Sequence, residues 1–156
     1  MIVLEHTVRS VNLANMILND IDAFMSQIVQ DDDAPIYISS EGLSYGSKGD
    51  ATLNLATYKG VLLGKLCEHY KDKIRGLYTY PPISMKAVAG CAKKGETGDK
   101  DKMINAFMRQ NVNCRFRQYL LEGRLINKTN YIPCVDDIVD SYWALATMLK
   151  KENFIK

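Results

Sequence analysis

A chain of 156 residues fits one domain and is long enough to bury a real core. Apolar residues at 47% and charged residues at 24% are ordinary for a soluble globular protein and exclude a disordered or low-complexity chain. The net charge of +2 is too small to argue for a polyanion partner by itself, and no apolar run of about 18 residues is present to cross a membrane.

In chain order, Leu13, Met16, Ile17, Ile21, Phe24, Met25 and Ile28 recur at steps of three and four and predict an amphipathic helix over Arg9 to Gln30. Ile2 to Leu4, ahead of it, has the residue types of a strand stub. Asp31, Asp32 and Asp33 end the helix as a solvated polar turn. Pro35 to Ser40 reads as a short buried strand, with Glu41 at its C-terminal end and a Gly/Ser-rich loop through Gly49. A second helix runs from Asp50, a plausible N-cap, to Asp72. Leu53, Ala56, Gly60, Leu63 and Cys67 lie near one face of it, and Gly60 with Gly64 would let another backbone approach. Gly76 to Tyr80 is a further strand, stopped by Pro81-Pro82. A short segment follows from Ile83 to Val88, then a three-glycine loop from Gly90 to Gly98. Asp99 to Gln110 is a third helix with Met103, Ile104, Phe107 and Met108 on its apolar side. Asn111 to Pro133 shows no clear period. Val135 to Lys151 is the last helix, with Ile138, Val139, Tyr142, Leu145, Ala146 and Leu149 toward a core.

Helix, strand, helix, strand, helix, helix is an α/β order. Strands joined through a long helix are parallel, and parallel sheets are built from more than two strands. The sheet is therefore expected to be incomplete, its remaining strands coming from a missing N-terminal part or from a partner.

Charge is distributed unevenly. Arg109, Arg115, Arg117, Arg124 and Lys128 stand against the single acid Glu122, and Lys86, Lys93, Lys94, Lys100 and Lys102 form a second, more diluted group. Such patches suit a local polyanion footprint, and equally a solvated helix face. Cys67, Cys91, Cys114 and Cys134 make no CxxC pair, which excludes zinc-ribbon spacing and suits free thiols in a reducing compartment. His6 and His69 have no metal-ligand spacing. Gly95 to Lys100 lacks the GK[ST] ending of a phosphate loop.

The acidic residues carry the sharpest chemistry. Glu41 ends a strand, and Asp137 and Asp140 begin a helix at positions three apart, so both can serve one site. Three carboxylates brought together would make an oxygen-rich cage for Mg²⁺ or Mn²⁺. Four stretches follow in order: Glu41 to Gly60; Pro82-Ile-Ser-Met-Lys-Ala-Val-Ala-Gly90; Gly98-Asp-Lys-Asp-Lys-Met103; and Asp137-Ile-Val-Asp140-Ser-Tyr-Trp-Ala-Leu-Ala146. As an ordered set they resemble the RuvC family of Holliday junction resolvases over Arg9 to Leu149.

That resemblance implies an RNase H-like mixed sheet flanked by helices, a single nuclease domain over residues 1–156, and a homodimer that cuts branched DNA with Mg²⁺ or Mn²⁺. It implies a cytoplasmic setting, in a bacterium or a virus-infected cell. Glu41, Asp137 and Asp140 match the family's metal ligands, with Asp136 beside them as a cap or supporting group. Lys86 and Lys100 match lysines placed near the scissile phosphate, Lys100 with a catalytic part. Tyr45 matches a loop aromatic near the junction centre, able to stack on a base. Lys48, Lys93, Lys94, Arg115 and Arg117 are the further expected DNA contacts. Two departures stand out. Nothing before Arg9 matches the family's first strand with its metal-bridging Asp, so the N-terminal strands are expected to be missing. The stretch between Lys100 and Asp137 is also longer than the family's. Two other readings follow: a non-catalytic branched-DNA binder or scaffold with a degenerate resolvase fold, and a small α/β protein completed by partner strands that never meets DNA.

Overall fold

The computed structural model describes residues 2–42, 50–91, 100–111, 113–123, 126–127, 130–131 and 134–155. The fold is mixed α/β and mostly helical. In order it runs α1 (Ile2–Ile28), β1 (Ile36–Glu41), α2 (Asp50–His69), β2 (Ile74–Tyr80), α3 (Pro82–Val88), α4 (Lys100–Gln110), α5 (Arg115–Leu121), β3 (Ile126–Asn127), β4 (Asn130–Tyr131) and α6 (Cys134–Lys151). β1 and β2 pair with each other. The Ile36 N–H donates to the Lys73 carbonyl at 2.9 Å and the Gly42 N–H to the Tyr80 carbonyl at 2.6 Å, so both strands ascend together and the pair is parallel. β3 and β4 form a separate antiparallel ribbon with Ile126 opposite Tyr131. Among the described residues no helix is long and apolar enough to cross a membrane.

The chain divides into two compact units, Met1–Ile38 with Leu43–Leu77, and Ser39–Gly42 with Tyr78–Lys156. In the first, α1 packs along α2. Ala14, Leu18 and Asp22 recur every fourth residue, one turn apart on a single side of α1, and Ala14 and Leu18 are buried. Asp22 accepts hydrogen bonds from the Tyr70 hydroxyl just past α2, and from His69 Nε2 at 3.1 Å. The Tyr70 bond, first among the causes, holds the Asp22 carboxyl below the usual carboxylate range. Burial and the same bond push Tyr70 up to about 12.

Three sequence expectations change here. Ile2 to Leu4 is not a strand stub: it forms the first turn of α1, with Glu5 at the positive end of the helix dipole. Local β-propensity yields to the helical run that follows without a break. Leu13, Met16, Phe24 and Ile28, expected to face a core, are between 45% and 63% exposed. Met16 lies on the side of α1 opposite Ala14 and Leu18, Leu13 and Phe24 flank it, and Ile28, two heptads on from Ala14, falls near the buried side but close to the helix end. On α2, Leu53 is 67% exposed, and a methyl added at Gly60 or Gly64 would meet nothing within 4 Å. Leu66 of α2 is buried.

The second unit holds a continuous core of Tyr80, Met85, Ala89, Cys91, Met103, Ile104, Ala106, Phe107, Leu120 and the inner face of α6. α6 supplies Val135, Val139, Trp143, Ala144 and Met148 at steps of three and four. Trp143 is fully buried, and its Nε1–H donates to the Met103 carbonyl at 3.2 Å, which fixes α4 against α6 without leaving an unpaired donor. Asn111 to Pro133, which shows no period in sequence, contains α5 and the β3–β4 ribbon. All four cysteines are free thiols.

Candidate functional site

The site lies wholly within the second unit, around a cavity of about 140 Å³ lined by Glu41, Pro82, Met85, Lys86, Met103, Ile104, Asp136, Val139 and Asp140. Each polar residue is set in place by local backbone chemistry. Glu41 ends β1. The next residue, Gly42, donates to the Tyr80 carbonyl so closely that a Cβ there would sit 3.2 Å from that oxygen, which favours glycine. Ser39 Oγ donates to the Ala144 carbonyl at 2.7 Å, tying the same strand end to α6 one turn beyond Asp140. Ser40 Oγ lies 3.1 Å from Thr79 Oγ1, bracing the strand pair at the same level.

Lys86 stands in the last turn of α3. Pro81 is extended at φ −66°, ψ 151°, and Pro82 opens the helix, where a missing N–H costs nothing. The helix closes in a Schellman turn: Cys91 N–H donates to the Lys86 carbonyl at 2.8 Å and Gly90 N–H to Ala87 at 3.1 Å. Gly90 sits at φ +71°, where glycine carries no Cβ penalty. Buried Met85 anchors α3 beneath the site. At the far end of α6, Lys151 Nζ donates to Ser84 Oγ at 3.1 Å, and Tyr80 OH donates to Glu152 Oε1 at 2.9 Å.

The cavity thus gathers Glu41, Lys86 and Asp140, three of the residues named from sequence. Asp137 is not among its lining. Asp137 is exposed, and its backbone carbonyl accepts from Ser141 Oγ at 2.7 Å. Asp136 lines the cavity instead, half-buried. Positions 136 and 140 are four apart and lie about 40° from each other around the helix, with Val139 and Trp143 on the same inner side. Matching the acid pair at a spacing of three selects Asp137; the spacing of four to Asp140 is the signal that finds Asp136.

The donor set is all carboxylate, which suits a hard divalent cation such as Mg²⁺ or Mn²⁺. The spacing is looser than a cage: among the described residues no group of three or more His, Cys, Asp or Glu side chains could hold a metal ion as placed. Asp136 and Asp137 in the first turn of α6 also complement its dipole.

Of the remaining expected contacts, Arg115 is exposed, with its guanidinium 5.6 Å from the centre of the Tyr119 ring. Arg117 is half-buried and donates from Nε to the Met108 carbonyl at 2.8 Å, so part of its fork holds the end of α4. Lys100 begins α4, and its side chain lies outside the described residues, as do Tyr45, Lys48, Lys93 and Lys94. His69, which has no metal-ligand spacing in the sequence, pairs with Asp22 at 3.0 Å, and both belong to the first unit. Compared with protein-family models, with curated proteins and with solved structures, the chain matches none of them.

Proposed function

We propose that the chain is a RuvC-like, RNase H-type endonuclease that cuts branched DNA, four-way junctions above all, with a divalent metal ion. The observation that carries this reading is the cavity: Glu41, from the end of a strand, shares it with Asp140, about a hundred residues later, and with Lys86. Asp136 takes the part that the sequence pattern gives to Asp137. Mg²⁺ or Mn²⁺ held by these carboxylates would supply an activated water and charge neutralisation at the phosphate.

The chain's own residues supply the rest. Glu41, Asp136 and Asp140 would give the cavity a negative potential that draws a cation. Lys86, on a helix anchored by buried Met85, would oppose charge that develops on the phosphate oxygens. Met85, Met103, Ile104 and Val139 form an apolar floor that lowers the local dielectric and strengthens both effects.

Two-strand cutting of a junction calls for two sites, and so for a homodimer. The exposed Leu13, Met16 and Phe24 give α1 an apolar strip apart from Ala14 and Leu18, of the kind that a partner surface covers. A second copy is the occupant proposed for that strip.

The test is cleavage of a labelled four-way junction with Mg²⁺ or Mn²⁺. Glu41→Gln and Asp140→Asn are each expected to lower the rate at least about 100-fold, in line with losing one preorganised charged group. Equal rates for wild type and both variants remove these carboxylates from the mechanism. The loose spacing of the carboxylates favours a second reading, a branched-DNA-binding scaffold without chemistry. It predicts salt-sensitive junction binding with no metal-dependent cleavage by wild type.

A further inference from the structure

Outside the cavity, α4 and α5 carry a surplus of positive charge. Residues 100–123 hold five basic residues, Lys100, Lys102, Arg109, Arg115 and Arg117, against the two acids Asp101 and Glu122. That surplus of three exceeds the +2 of the whole chain, so all the rest sums to about −1. α4 and α5 are braced against each other at a corner. α4 ends at Gln110 and α5 begins at Arg115. The turn between them is closed by Cys114 N–H donating to the Asn111 carbonyl at 3.2 Å, and Asn111 Nδ2 donating to the Phe107 carbonyl at 3.0 Å. Phe107 and Phe116 pack edge to face across the corner with centroids 5.7 Å apart, and Leu120 is buried. Arg117 is spent on the Met108 carbonyl, which locks α5 to the C-terminal turn of α4.

The corner turns outward a mixed surface in which Leu121 and Glu122 are exposed beside cationic and polar groups. Arg109, Arg115 and Gln118 are exposed. Arg115 lies over the Tyr119 ring, four residues on, so its guanidinium is held at the surface rather than free to fold back. A planar fork so held, on a helix clamped from below, is suited to the phosphate groups of a nucleic acid backbone, which Arg grips bidentately.

We infer that the α4–α5 corner is a second nucleic-acid contact, distinct from the carboxylate cavity, which grips the phosphate backbone of a DNA duplex without reading its sequence. Arg115 and Arg109 make the contacts, and Tyr119 is a positioning residue for Arg115. The inference rests on the nucleic-acid part of the proposed function and not on its chemistry. It concerns the stretch by which this chain departs from the resolvase pattern. In a branched substrate the corner would hold a duplex arm while the cavity meets the crossover strand.

The experiment is binding of a short fluorescein-labelled blunt duplex of mixed sequence, followed by anisotropy in EDTA from about 50 to 200 mM salt, the range over which phosphate contacts weaken steeply. EDTA keeps cleavage out of the readout, so an inactive protein still gives an answer. Wild type is expected to bind with a steep negative salt slope. Arg115→Gln and Arg109→Gln are each expected to flatten that slope by about one unit, one phosphate contact apiece. Tyr119→Ala is expected to weaken binding about two- to fivefold while keeping the slope, and Tyr119→Phe, which keeps the ring, to bind as wild type. Arg75→Gln is the control: it removes an exposed arginine of the first unit that bonds the Asp72 carbonyl, and is expected to change nothing. The inference is overturned if wild type shows no salt-dependent duplex binding. It is also overturned if Arg115→Gln and Arg109→Gln both retain the wild-type affinity and slope, or if Arg75→Gln flattens the slope as much as they do.

Discussion

The two units solve the problem of burial in opposite ways. The second has a core of its own, in which Trp143, Met85, Ile104, Val135 and Val139 are all under 2% exposed. In the first, the buried apolar residues among those described are Ala14, Leu18 and Leu66, while Leu13, Met16, Phe24, Ile28, Leu53 and Leu55 are exposed. A helix pair with so small a buried seam gains little from the hydrophobic effect. Part of its cohesion is polar, through Asp22, Tyr70 and His69. The candidate site is in the unit whose packing can hold side chains to a fixed geometry, which is what a catalytic constellation needs. Ile83, Leu121, Ile138 and Leu145 are exposed in the second unit too, but there they surround a buried core, whereas in the first the exposed large apolar residues outnumber the buried ones among those described.

The strongest way to break this contrast is to remove the centre of the second core. Trp143→Ala deletes a fully buried indole and its bond to the Met103 carbonyl, and is expected to cost about 3–5 kcal/mol. A urea titration should show the lower midpoint. A loss below about 1 kcal/mol would mean that the side chain is not packed as described.

The next largest effect separates the two neighbouring acids of α6. Asp136→Asn is expected to reduce junction cleavage at least about 100-fold, as Asp140→Asn does, while Asp137→Asn stays within about threefold of wild type. The reverse ranking would restore the i, i+3 pair and show that the helix presents its other edge to the metal. Apparent Mn²⁺ affinity, measured by calorimetry on the same variants, separates loss of metal binding from loss of chemistry.

The first unit gives the next test. If the open side of α1 is covered by a second copy, Met16→Glu with Phe24→Glu puts two charges into that interface. Charge burial without a partner is costly enough to shift the particle from dimer to monomer in light scattering at micromolar concentration. A monomeric wild type, or an unchanged dimer in the double variant, removes α1 as the dimer contact.

How much of this was legible before the structure depends on length and on spacing. α1 and α6 announce themselves because an apolar period sustained over several turns has no other reading. The ends of α6 move by one residue at most, to Cys134–Lys151, whereas α1 begins seven residues earlier than expected, at Ile2, and ends at Ile28. α3 is half-legible: Pro81-Pro82 stops β2, but Pro82 is also a good first residue of a helix. α5 is hidden because seven residues give too little period and Cys114, its N-cap, makes no side-chain capping bond. Phe116 and Leu120 at i, i+4, followed by Gly123 at φ +69°, are the signals it does carry. At the site, Glu41, Lys86 and Asp140 follow from residue type and order. Asp136 does not, since a one-residue shift around a helix is a matter of which face the core claims. Nor does periodicity tell which apolar side of α1 is covered, since it fixes a face and not a partner.

The smallest expected effect concerns the polar clasp of the first unit, and its sign can be worked out. Asp22 is held below the ordinary carboxylate value of 3.8, first by the Tyr70 hydrogen bond and further by His69 and Lys73. A carboxylate depressed in the folded state contributes stability above its unfolded pKa and loses it as pH falls through the folded one. Tyr70 is raised from 10.0 to about 12, so the neutral hydroxyl is favoured by folding. Its contribution is whole below pH 10 and is lost as pH rises toward 12. The clasp therefore weakens at both ends of the scale. Tyr70→Phe removes the donor and keeps the ring, at an expected cost of about 0.5–1.5 kcal/mol near neutral pH. Asp22 should then titrate closer to 3.8 in a carboxyl-detected NMR experiment, and the alkaline loss of stability from this group should vanish. If Asp22 titrates identically in wild type and Tyr70→Phe, the hydroxyl is not what holds the carboxylate down. His69 and Lys73 would then account for the shift, and α1 and α2 would be joined chiefly by charge rather than by a hydrogen bond.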